Sequence, residues 1–252
     1  MTAAAALSLA GTAHGALFSF ASDDDSDAFT FRGTAATGTS FTMAHARTPR
    51  DRVTLKIDDE NGVRPTVSLA VGFTSNLTVS WVGSVGTGSA QTHAYSVTGT
   101  FSFVDVNTGA ELLTINLAGQ SPAGLAIGGT MTQWASSGTV FGSDSGGGGS
   151  VSYVTVPALF TAGTAAGADL TQYGIQGGVN ATSIGPDDFG FSLTIVNAAG
   201  GPVGIDPTSR LPTAMWNAEG SYSGAARWGV PSPGAVATFG LALLVVGSRR
   251  RR

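Results

Sequence analysis

Apolar residues recur at every second position along this chain, and that period limits its folds more than any other feature. Phe18 and Phe20 alternate with small residues, as do Phe29 and Phe31. Val53, Leu55 and Ile57 alternate with Thr54, Lys56 and Asp58. The same pattern returns at Val67, Leu69 and Val71, at Leu77, Val79 and Trp81, and at Phe101 and Phe103. It continues through Leu113, Ile115 and Leu117, Val151 and Tyr153, and Phe189, Phe191, Leu193 and Ile195. A period of two puts one face of a strand into a core and the other into water. From Ala16 to about Gly229 the chain is built mainly of Gly, Ala, Ser, Thr and Val with few Lys or Glu, and Gly punctuates it throughout, which disfavours helix.

The turn residues agree. Asn61-Gly62 closes the run Asp58-Asp59-Glu60 between two alternating segments, and Asn-Gly is a strong hairpin signal. Asn107-Thr108-Gly109 separates Phe101–Val104 from Leu112–Leu117 in the same way. Short strands at this spacing predict an all-β body, an antiparallel β-sandwich or jelly-roll-like domain over residues 16–220. The flexible stretch Ser145–Ser150 reads as a loop within that one domain. The chain has no cysteine, so its stability has to come from burial, and a body of this length is large enough for that.

The last residues read differently. Val230-Pro231-Ser232-Pro233 is followed by an uncharged run at 234–248, then Arg249, Arg250, Arg251 and Arg252. Counted from Val230 to Ser248, the run is close to the roughly 20 residues that cross a bilayer as a helix. The two prolines set its start, and the arginines hold its end on the cytoplasmic side. A single C-terminal transmembrane helix at 234–248 with a basic stop at 249–252 is therefore expected. This three-part layout resembles the PEP-CTERM sorting signal of Gram-negative bacteria, with Ser232 where that family usually has Glu. The resemblance implies an exosortase-type processing enzyme as partner, with Val230, Pro231, Ser232 and Pro233 as the sorting motif. It also implies association with exopolysaccharide and biofilm.

At the other end, residues 1–15 end in the small-x-small pattern Ala13-His14-Gly15, which reads as the remnant of a signal peptide. An in-frame upstream start encoding basic residues is the corresponding expectation. Residues 221–229, small and polar, read as a stalk between body and membrane.

Charge narrows the partners. The chain has 12 basic and 16 acidic residues; without the four terminal arginines the balance is 8 against 16. Such a body gives no long-range attraction to nucleic acid. Asp23, Asp24, Asp25 and Asp27 form the densest acidic cluster, and clustered oxygens suit calcium, the one cofactor considered. Asp58, Asp59 and Glu60, and Asp187 and Asp188, are further acidic groups. His45 and His93 stand outside any nucleophile-elbow or metalloprotease motif. Glu60, Glu111 and Glu219 show no pairing in sequence that would mark a glycosidase. Trp134 and Trp216 have polar neighbours and are candidate sugar platforms. Thr37/Thr39 and Thr98/Thr100 are candidate elements of a flat ice-binding face.

Together these features predict an exported, membrane-anchored, non-enzymatic protein with its body outside the inner membrane, destined for the cell surface or extracellular matrix. A carbohydrate-binding module is the alternative. An ice-binding protein and a secreted glycoside hydrolase are further ones.

Overall fold

In the computed structural model, residues 15–21, 31–45, 53–117, 123–143, 152–155, 170–173, 175, 181–185 and 187–228 are described. They form one antiparallel sheet of thirteen strands. In chain order these are β1 (Gly15–Ala21), β2 (Phe31–Gly33), β3 (Ser40–His45), β4 (Val53–Asp59), β5 (Val67–Thr87), β6 (Ala90–Asp105) and β7 (Glu111–Leu117). There follow β8 (Ala123–Gly129), β9 (Trp134–Ser143), β10 (Ser152–Thr155), β11 (Ala181–Thr182), β12 (Asp188–Ala198) and β13 (Trp216–Arg227). Among the described residues the only helical element is a 3-10 turn at Leu170–Tyr173.

The all-β, antiparallel expectation holds. The sheet also closes on itself. Strands β2, β3, β5, β6, β8, β9, β12 and β13 are each bonded to the next, and β13 returns to β2. The long strands carry different neighbours at their two ends. On the side away from β6, β5 pairs with β4 through Val67–Val71 and with β3 through Asn76–Ser80. Similarly β6 pairs with β8 through Gln91–Val97 and with β7 through Gly99–Val104. Strand β13 pairs with β2 at Trp216–Ala218 and with β1 at Ser221–Arg227.

The molecule thus has a proximal end, where Gly15 lies opposite Arg227, and a distal end, where the β5–β6 hairpin turns at Gly88.

Alternation fills the interior as expected. Phe20, Phe73, Phe101, Phe103, Phe191 and Tyr222 meet in its middle, all buried. Each such side chain removed from water stabilises the fold by about 1.5–3 kcal/mol relative to leaving it exposed. At the distal end the rings are Phe41, Tyr95, Trp134 and Trp216. Val203, Ile205 and Leu211, from the connection between β12 and β13, are buried as well.

Turn chemistry follows the sequence. Asp105 Oδ1 accepts from the Asn107 and Thr108 backbone amides and from the Thr108 hydroxyl, and Gly109 takes φ 73°. Those donors hold the Asp105 carboxyl below the usual range. At the other predicted hairpin, Gly62 takes φ 64° and donates to the Asp59 carbonyl.

Two expectations change. The predicted stalk is no stalk through Trp228: residues 221–227 are the proximal half of β13, bonded to β1 and β12, and Trp228 is buried. The body therefore runs from Gly15 to at least Trp228. Strands β8 and β9, unread in the sequence, are both part of the closed ring. Gly15, expected to end the leader, is instead the first residue of β1; the rest of the leader, the 145–150 stretch, and the tail at 230–252 with its expected span lie outside the described residues. Among the described residues no helix is long and apolar enough to cross a membrane.

Candidate carbohydrate-binding site

The expected sugar platforms are inside the molecule. Trp134 is 3% exposed and Trp216 1% exposed. Trp134 donates through Nε1 to the Tyr95 hydroxyl at 2.9 Å, and its ring meets Trp216 edge to face at 5.3 Å. Trp216 also lies over Gly33, where a Cβ would come within 1.9 Å of its ring. Stacking needs a free ring face, so neither indole serves in this fold. A polar neighbour in sequence lies on the opposite face of a strand, so it does not mark the ring itself as exposed.

Two other aromatics face solvent instead: Phe141, 45% exposed, and Trp81, 40% exposed. Phe141 belongs to β9, a strand the alternation of large residues did not reveal. Its ring overlies Gly124 of β8, so that a Cβ there would fall 2.7 Å from Cζ. On its other side Phe141 pairs with Gly190 of β12. Glycine on both flanks leaves the ring lying over the outer surface.

Next to Phe141 in sequence, Gly142 forms the β9 edge of a groove of about 540 Å³ that crosses β4, β1, β13 and β12. Gly190, Ser223 and Ala225 lie along it, Leu17 lines it at 39% exposure, and Asp58 and Asp188 supply carboxylates. Asp58 accepts from the Thr66 hydroxyl. The register explains the grouping: Leu17 is opposite both Asp58 and Ala225, and Ser223 is opposite both Ser19 and Gly190. An apolar face bordered by hydroxyls and carboxylates has the chemistry of a saccharide site. The ring covers C–H groups, and the oxygens take the sugar hydroxyls.

The remaining candidates separate. Glu60 bonds Arg227 through Oε1 and the Gly15 amide through Oε2. Glu111 Oε1 accepts from Ser102, and Glu219 lies on the outer face of β13. Asp187 is buried and accepts from Ser183 and from the Arg227 amide. Among the described residues no three His, Asp or Glu side chains come together as a metal site. Asp23, Asp24, Asp25 and Asp27 lie outside those residues. His93 is fully buried; of His45 only its pairing with Phe31 is described.

No family model, curated protein or solved structure matches the chain.

Proposed function

We propose that this is an exported protein, sorted through its PEP-CTERM-like tail by an exosortase-type enzyme, whose β body attaches to extracellular polysaccharide at the cell surface. The observation that supports the attachment is the groove over β1, β13 and β12: Leu17, hydroxyls and carboxylates lie within one depression, and the exposed Phe141 ring stands next to Gly142 and Gly190 at its β9 edge. The body acts as a binding module, and the tail determines where that module is delivered.

The test is affinity electrophoresis of the full-length chain in detergent, through gels containing laminarin or dextran. Retardation in one of them, lost in Phe141→Ala with an unchanged melting temperature, is the expected result. Free migration of the unaltered chain in both would end the attachment reading. Intact-mass analysis of the exported protein tests delivery: retention of Arg249–Arg252 would exclude processing.

A second reading, ice binding, has one specific observation in its favour. Thr42, Thr78 and Thr98 lie in register across β3, β5 and β6, and Asn76, Thr100 and Asn116 lie in register across β5, β6 and β7. The rows repeat at about 4.8 Å between strands and about 6.8 Å along them. Thermal hysteresis abolished by Thr98→Lys would select this reading.

A further inference from the structure

The outer end of the β5–β6 hairpin carries a hydrogen-bonded chain that the groove does not use. Trp81 Nε1 donates to Ser84 Oγ at 3.3 Å. Ser84 Oγ lies 2.8 Å from His93 Nδ1, and His93 Nε2 lies 2.8 Å from the Thr130 carbonyl. A carbonyl can only accept, so Nε2 carries the proton and Nδ1 accepts from the Ser84 hydroxyl. The direction of every bond in the chain is thereby fixed.

A bulge makes this arrangement. Trp81 pairs with Tyr95 but Gly83 pairs with Ala94, so Val82 is an extra residue. Were Val82 paired in a regular ladder, Ser84 would face Thr92, on the opposite side of the sheet from His93. With it, Ser84 stands opposite His93, and Trp81 and Ser84 share a face three residues apart. The indole N–H is held by Ser84, while 40% of the residue remains exposed at the rim.

We propose that Trp81 is a second sugar-stacking platform, at the distal rim, positioned by the Trp81–Ser84–His93–Thr130 chain and taking a pyranose ring of the same polysaccharide. This rests on the polysaccharide reading and gives the body two contacts with such a polymer. Trp81 is the contacting residue; Ser84 and His93 are positioning residues. A ring whose rotamer is already fixed loses less entropy when it binds.

The chain also has a pH sense. His93 meets Ser84 from β5 and the Thr130 carbonyl, and among the described residues Arg210, from the β12–β13 connection, is the charged group that acts on it. Burial, assisted by Arg210 against the Thr130 bond, holds the imidazole below its ordinary value. Protonation would turn Nδ1 into a donor and reverse its bond with Ser84, so that Ser84 Oγ accepts from Nδ1 and the indole together and holds Trp81 less strongly.

The experiment uses full-length chain in detergent and laminarin or dextran, whichever retards it. Trp81→Ala is expected to weaken binding by about tenfold, and Trp81→Phe, which keeps a ring but loses the N–H, by less. Ser84→Ala is expected to weaken binding and raise acrylamide quenching of tryptophan fluorescence. Wild-type affinity is expected to fall on acidification through the His93 titration, with Ser84→Ala showing a flatter profile. Wild-type affinity in Trp81→Ala, with Phe141→Ala still defective, overturns this proposal and leaves the groove standing. Loss in Trp81→Ala with no effect of Ser84→Ala at any pH overturns the positioning role. No binding by the unaltered chain removes both sites.

Discussion

The central and the distal aromatic clusters hold this body in different ways. The central one is almost entirely phenylalanine. Phe101 touches Phe20, Phe31, Phe73, Phe103, Phe191 and Tyr222, with nothing to satisfy except area. The distal one carries polar tips. Trp134 donates to the Tyr95 hydroxyl, and Tyr95 donates to the Arg210 carbonyl at 2.5 Å. Arg210 itself sits at φ 60° and donates to the Met131 carbonyl. The central cluster joins strands through burial, whereas the distal one ties two loops to the ring of strands. Bulk secures the first and direction the second.

Substitutions separate the two modes. The largest effect is expected at the centre: Phe101→Ala should cost about 3–5 kcal/mol in chemical denaturation. A loss below about 1 kcal/mol would show that the cluster is not cooperative. Gly224→Ala comes next, at about 1–3 kcal/mol, because the added Cβ meets the Tyr153 hydroxyl at 2.0 Å. At the distal end, Trp134→Phe keeps a ring and removes one donor, so about 1 kcal/mol is expected. A loss as large as that of Phe101→Ala would erase the distinction.

Acid sharpens it further. The His93 value in the fold lies below that of the unfolded chain. Stability from this group is thus complete above about pH 6.5 and falls as pH drops toward its folded value. His93→Gln should flatten that stretch of the stability profile. The smallest effect is expected at the exposed Arg227–Glu60 pair, where Glu60→Gln should change stability by about 0–1 kcal/mol.

The strands that could be read from sequence are those with large residues inside, such as β4 with Leu55 and Ile57 and β12 with Phe189 and Phe191. Strand β13, by contrast, sets glycine and alanine between the large residues of its inner face. In β13 the inward series is Trp216, Ala218, Gly220, Tyr222, Gly224, Ala226, with Trp228 buried just beyond it. It alternates as strictly as any other, but in volume. A Cβ at Gly220 would come within 2.9 Å of Phe31, so the neighbouring ring already fills that space. Such complementarity appears only once strands are paired. It is why a central strand resembles a spacer in sequence, and why nothing in the sequence marks Phe141, set between Gly124 and Gly190, as an exposed ring. The Trp81 chain was hidden for a related reason: Ser84 and His93 meet only because of the extra residue at Val82.

One consequence of the β1–β13 pairing remains. Gly15 and Arg227 are register partners, while β5 carries the chain over 21 residues to the opposite end, a path of about 65–70 Å. The body therefore has adjoining entry and exit points, the arrangement that permits circular permutation. A short peptide joining Trp228 to Gly15, with new termini opened at Gly88, should refold with the same core and lose only the hairpin that carries Trp81.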